Sequence, residues 1–230
     1  MIERASAWQL IISGDPSLYA IAYLSLKVSF CAVMIAGAIG FPLGALLGFS
    51  TFRGRNTLVV VTNALMGLPP VVVGLCVYLA LSRSGPLGSL GLLFTPTAMV
   101  IAQAILITPI IAALTRQTIE DLWSEYRNEF SAMGVSRMGC LAALLHDARI
   151  SLFTALLAGF GRAAAEVGAV MIVGGNIDGF TRTMTTTIAL ETSKGDMAMA
   201  MGLGLMLIAI VIAINASTWI LSSLTKSRRG

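Results

Sequence analysis

The stretch 116-RQTIEDLWSEYRNEFSAMGVSRMGCLAALLHDAR-149 decides the fold, because it is polar and lies between two long apolar segments. It carries nine of the charged side chains in a chain that has only 15 basic and 11 acidic residues. Apolar side chains recur at helical spacing on both sides of Gly134, so the stretch predicts two amphipathic helices hinged at that glycine. We expect a long water-facing segment between membrane helices.

The rest of the chain has the composition of a membrane protein. Of its 230 residues 57% are hydrophobic and only 11% charged, and the mean hydropathy is +0.87. A soluble domain carries about 25% charged residues. Four stretches contain no charge, and each exceeds the roughly 20 residues that a helix needs to cross a bilayer. They are Val28–Phe52, Asn56–Ser82, Ser84–Thr115 and Met197–Thr225. The sequence therefore predicts an all-α membrane protein.

We predict one transmembrane domain over residues 1–230, with five spans and a cytoplasmic loop at 116–150. The spans are placed near 18–50, 57–82, 92–115, 151–173 and 197–224, and Asp15 and Pro16 are expected to start the first. Five spans put the termini on opposite sides. With the C-terminus inside, nine basic residues are cytoplasmic and four are outside. Basic residues favour cytoplasmic loops, so we expect the N-terminus outside and the C-terminus inside.

Proline and glycine mark unusual positions within the predicted spans. Adjacent prolines at Pro69 and Pro70 predict a broken helix that lines a pathway, since each proline removes a backbone hydrogen bond. Ordinary helix packing is the alternative. Glycines spaced three or four residues apart predict a close helix–helix approach. They are Gly37, Gly40, Gly44 and Gly48.

The motifs of enzymes and metal sites are absent from the sequence. There is no phosphate-binding G-x-x-x-x-G-K-[ST] loop and no H-E-x-x-H, and His146 is the single histidine. Cys31, Cys76 and Cys140 share no close spacing and are expected to be small apolar residues. We expect no catalytic residue, no metal and no bound cofactor in this chain. The net charge of +4 is interpreted as the cytoplasmic bias of basic residues, not as nucleic-acid binding.

Two interpretations of the segment around Gly134 remain open from the residues alone. Its apolar stripes fit helices that lie on the inner membrane surface. They also fit a loop that a soluble protein grips. In the first case the chain is a stand-alone channel or scaffold with a lipid-facing amphipathic loop, and in the second it needs a partner.

The segment Ala132-Met133-Gly134-Val135-Ser136 resembles the EAA loop of binding-protein-dependent ABC importer permeases. In that family the loop forms the coupling helix, which sits in a cleft of the ATPase subunit. The resemblance implies that Glu129 and residues 132–136 couple to an ATPase. The family's glutamate falls on Asn128 here, with Glu129 one place later, and the family's downstream proline is missing.

The predicted fourth span resembles the oxyanion branch of this family, which imports sulfate, molybdate and tungstate. The matching residues are Gly159-Phe-Gly-Arg-Ala-Ala-Ala-Glu-Val-Gly-Ala169, continuing through Val173–Ile177 and Thr181–Thr185. With Gly67–Gly74 and Ile188–Asp196, the pattern is similar to the tungstate-importing permeases. This implies tungstate as substrate, then molybdate or sulfate.

The same resemblance implies a type I importer fold in a prokaryotic inner membrane. It implies a homodimer surrounded by lipid, two ATP-binding subunits that carry ATP and Mg²⁺, and an extracytoplasmic oxyanion-binding protein.

Arg162 and Glu166 interrupt the fourth span and lie four residues apart, so they face the same way on a helix. An unpaired charge at mid-membrane costs about 2.5–3.5 kcal/mol on insertion scales, so the two charges need each other or a wet cavity. They either form a neutral structural pair, or Arg162 attracts a passing dianion while Glu166 tunes it.

Within the segment Asn176–Asp196, five threonines cluster at residues 181–187, and their hydroxyls could bind an oxyanion or a docked protein. A solvated loop with a short helix is the alternative. Family resemblance implies a gate helix, placed at Met184–Leu190. Thr183, Met184 and Thr185 are therefore candidate gate residues.

Overall fold

The computed structural model describes residues 16–227, with side chains from 18 to 216. Asp15, Arg4, Arg228 and Arg229 lie outside the described residues. The described part contains one 3₁₀ turn at Gly88–Leu90, no strand, and eight α-helices. These are α1 (Pro16–Phe49), α2 (Arg55–Met66), α3 (Pro70–Leu81), α4 (Pro96–Ala132), α5 (Arg137–Ala164), α6 (Gly168–Gly174), α7 (Met184–Lys194) and α8 (Met197–Ser227). The predicted all-α class is confirmed.

Four helices of the described chain are long and apolar enough to cross a membrane. They are α1, α4, α5 and α8, and a fifth span results if α2 and α3 together form one. Those two helices are bent by 100° at a short break. Pro69 is extended at φ −64° and ψ 122°, and Pro70 is the first residue of α3, where its missing N–H costs nothing. The helix break predicted at the two prolines is therefore present.

The sequence predicted a separate loop at the polar stretch. In the structure, this stretch instead continues two membrane helices. α4 runs without interruption from Pro96 to Ala132, and α5 begins at Arg137. No glycine or proline lies between residues 110 and 133, so nothing in the backbone ends α4 at the membrane boundary. The predicted amphipathic helices are the polar ends of α4 and α5.

The span predicted at 151–173 also differs from the structure. α5 ends at Ala164, three residues follow outside any helix, and α6 takes up the chain again at Gly168. The sequence predicted that Arg162 and Glu166 lie in one continuous membrane helix. The helix instead ends beside the second charge, Glu166.

The helices pack into two compact units. The first contains the described parts of Met1–Ala32, Pro69–Gln103 and Gly161–Gly230. Within it α3 packs on α6, and α7 packs on α8. The contact between α3 and α6 is tight, because a Cβ on Gly74 would lie 2.7 Å from the Cα of Ala169.

The second unit contains Val33–Leu68 and Ala104–Phe160. Here the C-terminal half of α1 packs on α4 without space for side chains at the contact. A Cβ on Gly44 would lie 2.4 Å from the carbonyl oxygen of Ala112, and one on Gly48 would lie 2.7 Å from that of Arg116. The close approach predicted from the spaced glycines is confirmed.

Candidate functional site

The second unit carries a helical hairpin, which we define as residues 116–150, with its turn at 133–136. The end of α4 is a Schellman motif around Gly134, which has φ +66°. The N–H of Val135 donates to the carbonyl of Phe130 at 3.1 Å, and that of Gly134 donates to Ser131 at 3.3 Å. A left-handed φ favours glycine, so this residue sets the position of the turn.

Ser136 begins the second arm of the hairpin. Its side-chain oxygen accepts from the N–H of Gly139 at 3.2 Å, which is the bond of a helix N-cap. Both ends of the turn are therefore closed by local bonds, and the turn is rigid without help from other elements.

The apolar stripes of the two arms pack on each other. Ile119, Leu144 and Ala148 are fully buried between the arms. Aromatic rings extend this cluster, with Phe49 edge-on to Trp123 at 4.8 Å and Tyr126 edge-on to Phe130 at 6.0 Å between ring centroids. These side chains of the apolar stripes therefore contact each other within the hairpin, and they are not available to contact lipid.

The tip of the hairpin is the part left uncovered. All residues from 131 to 138 are exposed, and they include large apolar side chains. Met133 is 65% exposed and Met138 is 76% exposed. The predicted coupling residues Glu129, Ala132, Met133, Gly134, Val135 and Ser136 all lie on this exposed surface, as does Asn128.

Carboxylates lie on the solvent side of the hairpin. Asp121, Glu125, Glu129 and Asp147 are all exposed. The negative charge of Glu125, followed by that of Asp147, raises the pKa of Tyr126 above its ordinary value of 10.0. Carboxylates of both arms therefore lie near this phenol, and the four exposed carboxylates of the hairpin outnumber its two exposed arginines, Arg127 and Arg137.

A charged cluster lies at the base of the hairpin. The carboxylate of Glu120 accepts hydrogen bonds from both Arg55 and Arg116. The Nε of Arg55 also donates to the carbonyl of Leu47 near the end of α1, at 2.7 Å. The sequence analysis placed Arg55 and Arg116 only as basic residues of the cytoplasmic side and did not single out Glu120.

The first unit contains the break between α5 and α6. At the end of α5 the carbonyl of Ala163 accepts from the side-chain amide of Gln103 at 3.0 Å. Gln103 is only 4% exposed, and its Oε1 is buried without a hydrogen-bond partner in the described residues. Sequence reasoning missed Gln103, although a lone amide within a charge-free stretch is the kind of signal that could have found it.

Glu166 joins three elements at this break. Its Oε2 accepts from Arg162 at 2.7 Å, and its Oε1 accepts from the N–H of Ala169 at 3.1 Å in the first turn of α6. Its backbone carbonyl accepts from the hydroxyl of Thr185 at 2.8 Å in α7. Glu166 therefore holds the end of α5, the start of α6 and the start of α7 together.

The two charges of this pair differ in exposure. The side chain of Glu166 is 4% exposed, whereas that of Arg162 is 37% exposed. The predicted pair is formed, and it leaves part of the Arg162 side chain accessible. The buried Glu166 fits the interpretation as a structural pair. The partly exposed Arg162 fits the interpretation in which it attracts a passing dianion.

The threonines of residues 181–187 are buried and bonded inside the protein, so neither sequence expectation for their hydroxyls describes them fully. Thr183 caps α7 by accepting from the N–H of Thr186, and Thr181 donates to the carbonyl of Gly174 at 2.6 Å. α7 starts at Met184, where the predicted gate helix starts, and extends to Lys194. Met184 is 1% exposed, and its N–H donates to Ser25 at 2.7 Å.

The first unit brings the predicted pathway residues into one region. Val71, next to Pro70, packs against the start of α6, since its Cγ2 would lie 2.8 Å from a Cβ on Gly168. Glu166 and Thr185 are hydrogen-bonded. No group of three His, Cys, Asp or Glu side chains in the described residues could hold a metal ion.

Comparison with known proteins agrees with this architecture. A solved structure described as the crystal structure of an amino acid ABC transporter with histidines superimposes with a TM-score of 0.67. The alignment covers 95% of this chain and 97% of that one, at 18% identity, and therefore supports the fold. A family model described as the binding-protein-dependent transport system inner membrane component matches residues 40–229. The chain belongs to this family.

This inner membrane component is a transport subunit, not an enzyme, and ATP hydrolysis in such systems takes place on a separate subunit. The family implies an ATPase and a substrate-binding protein as partners. Two relatives are tungstate uptake system permease proteins. The one from Peptoclostridium acidaminophilum is 44% identical, with 94% of this chain and 95% of that protein covered. The one from Campylobacter jejuni is 37% identical, with 82% and 79% covered.

Proposed function

We propose that this inner membrane component is the pore subunit of an ATP-driven tungstate importer. In this proposal two copies form the pore, with the N-terminus outside and the C-terminus inside. Two ATPase subunits carrying ATP and Mg²⁺ bind the hairpin tips, and an extracytoplasmic oxyanion-binding protein delivers the substrate. The observation that carries the proposal is the exposed hairpin tip of a chain 44% identical to a tungstate permease along 94% of its length.

The tip has the properties of a docking element. It is rigid because the Schellman motif and the Ser136 cap close it locally. It presents Met133 and Met138 to solvent, and methionine fits irregular apolar pockets well. A rigid knob with apolar side chains suits a cleft in another protein.

A lipid-facing hairpin is the less favourable alternative. Helices that lie on a membrane expose an apolar face to lipid and basic residues to the anionic headgroups. Here the apolar stripes pack between the arms except at the tip, and the exposed surface carries four carboxylates but only two arginines, Arg127 and Arg137. An anionic membrane surface would repel that surface, whereas a basic protein surface would attract it.

The pathway is assigned to the first unit, around the break between α5 and α6. The side chain of Arg162 is partly exposed, and a guanidinium can offer a dianion positive charge and several hydrogen-bond donors. Glu166 orients it through the 2.7 Å ion pair. Pro69, Pro70, Thr183, Met184 and Thr185 complete the proposed pathway and gate.

In the proposed cycle, closure of the ATPases displaces the hairpins, and the helices move from an inward-facing to an outward-facing arrangement. The binding protein then releases its anion into the pathway. No bond of the substrate breaks, and selectivity among tetrahedral dianions lies mainly in the binding protein. We rank tungstate first because of the two named relatives, with molybdate and sulfate behind it.

Co-purification tests the coupling role. The wild-type chain should retain its ATPase subunit in detergent, and Met133→Asp should lose at least about tenfold in affinity because it places a charge in an apolar contact. Gly134→Pro should act similarly, because proline cannot adopt φ +66°. Met197→Asp is the control, since Met197 is also an exposed methionine, 55% accessible, but lies in α8. Equal ATPase retention by all four proteins would refute the coupling role.

Transport into proteoliposomes tests the substrate. The complete transporter with its binding protein should accumulate tungstate in preference to molybdate and sulfate when ATP is present. Accumulation without ATPase or ATP would instead identify a channel. Arg162→Gln should lower the rate with all three anions while ATPase binding stays unchanged. An unaltered rate would remove Arg162 from the pathway.

A further inference from the structure

We propose that Arg55, Arg116 and Glu120 are positioning residues that fasten the hairpin to the ends of α1 and α2. The clamp they form passes displacement of the hairpin tip to the membrane helices. This inference rests on the proposed function, because it presupposes that an ATPase moves the tip. The clamp residues are not expected to touch ATP, the ATPase or the anion.

The geometry of the clamp is that of one carboxylate shared by two guanidinium groups. Oε1 of Glu120 accepts from Arg55, and Oε2 accepts from Arg116. Charge-assisted bonds of this kind are about twice as strong as neutral ones. The side chains are only 18–32% exposed, so solvent screens the interaction less than it would on an open surface.

Arg55 extends the clamp to a second and a third helix. It is the first residue of α2, and its Nε donates to the carbonyl of Leu47 in the last turn of α1. The last four carbonyls of a helix lack intrahelical partners, so a cation there satisfies an acceptor and complements the helix dipole. Arg55 thus ties the end of α1 and the start of α2 to Glu120 of α4.

The clamp lies between two other rigid contacts in the same unit. On one side Gly44 and Gly48 place α1 directly against the backbone of α4. On the other side Phe49 at the end of α1 packs on Trp123 in α4. Because α4 is one uninterrupted helix from Pro96 to Ala132, a push at its end needs a fixed attachment to move α1 as well. The charged cluster is such an attachment, and it lies between the glycine contact and the contact of Phe49 with Trp123.

The test is the stoichiometry of the complete transporter in proteoliposomes, measured as tungstate accumulated per ATP hydrolysed. Glu120→Gln should reduce this ratio about fivefold, in the range found for residues that carry coupling between sites. ATPase binding and the ATP hydrolysis rate should stay within about twofold of wild type, since neither the tip nor the ATPase is altered. Arg55→Gln should reproduce the reduced ratio.

Arg53→Gln is the matched control, because Arg53 is exposed and lies two residues from Arg55, outside the cluster. It should leave the ratio unchanged. Arg55→Lys should restore only part of the ratio, since a lysine keeps the charge but cannot bond the carboxylate and the Leu47 carbonyl with a planar fork.

If Glu120→Gln fails to assemble, the double variant Arg116→Gln with Glu120→Gln removes one of the two charges that the single variant leaves unpaired, so that only Arg55 remains. An assembled double variant with a low ratio supports the clamp. A wild-type ratio in any assembled clamp variant overturns it, as does a parallel fall of transport and ATP hydrolysis. Failure of both variants to assemble also overturns it, because the cluster would then serve folding alone. A wild-type chain that binds no ATPase would refute the proposed function instead.

Discussion

The hairpin tip and the break between α5 and α6 both interrupt helices, but they are built in opposite ways. At the tip, the backbone groups are satisfied by neighbours within five residues, and the side chains face solvent. At the break, the partners come from 60 residues away in the case of Gln103 and Ala163, and 19 in the case of Thr185 and Glu166. The tip is closed by local bonds and exposed, whereas the break is closed by tertiary bonds and buried.

This difference indicates two kinds of role. A turn that needs no tertiary support can keep its shape while another protein binds to it. A break whose polar groups depend on several elements changes only when those elements move together. Substitutions at the two places should therefore have different consequences, and the predictions below are ordered by expected size.

Glu166→Leu should have the largest effect on stability. It leaves Arg162 without its partner and removes the acceptor of the Ala169 N–H, at a cost of about 3 kcal/mol in the free energy of unfolding. Denaturant titration in detergent measures this. The double variant Arg162→Gln with Glu166→Gln should recover most of the stability but not the transport. A stable single Leu variant would show that the break does not depend on the side chain of Glu166.

Gln103→Leu should cost about 2 kcal/mol, because the buried carbonyl of Ala163 loses its donor. Gln117→Leu is the control, since Gln117 is exposed on the same helix. The same titration compares them. If both variants were equally stable, the end of α5 would not need its distant amide.

Thr185→Val tests the bond between α7 and the break, and should cost about 1 kcal/mol because valine keeps the shape but loses the donor to Glu166. Thr154→Val provides the comparison, since its exposed hydroxyl bonds only Ile150 in its own helix. Thermal unfolding should separate the two by several degrees. Equal melting temperatures would argue against a tertiary role for the Thr185 hydroxyl.

Ser136→Ala tests the local turn and should cost about 1 kcal/mol through loss of the N-cap. Its effect should be confined to the hairpin, seen as faster amide hydrogen exchange at residues 137–140 with the break unchanged. Ser124→Ala, whose hydroxyl bonds Asp121 one turn earlier, should not alter that exchange. Faster exchange at residues 163–169 in Ser136→Ala would show that the turn is not independent.

The smallest effect is the titration of Tyr126. Its pKa is raised above 10.0 by nearby carboxylates, so Glu125→Gln should lower it. Phenolate absorbance, corrected with Tyr126→Phe, measures the change. Because the folded pKa is the higher one, the associated stability is complete below pH 10 and lost as the pH rises through the folded value. An unchanged pKa would mean that the carboxylate of Glu125 does not act on the phenol of Tyr126.

Much of the hairpin was predictable, and much of the break was not. Gly134 and the helical stripes are local signals, and the structure has the turn at Gly134 with a helix on each side. The packing of the two stripes on each other was not predicted, because the sequence offered lipid or a partner protein as the surface they contact. The continuity of α4 was missed because hydropathy marks where the membrane ends, not where a helix ends. The segment around Arg162 and Glu166 was expected as one span, since composition does not show that the backbone leaves the helix at Ala165.

The sequence by itself determined the membrane class, the helical content, the close approach of some helix to the glycines of α1 and the position of the hairpin turn. These follow from hydropathy, glycine spacing and local hydrogen bonding, which act over a few residues. Only the tertiary structure decided that Gln103 and Thr185 support the break, and that Glu120 gathers Arg55 and Arg116. Thr185, Gln103 and Arg55 lie 19, 60 and 65 residues from the partners they bond, and no local pattern specifies which distant side chain will satisfy a buried polar group.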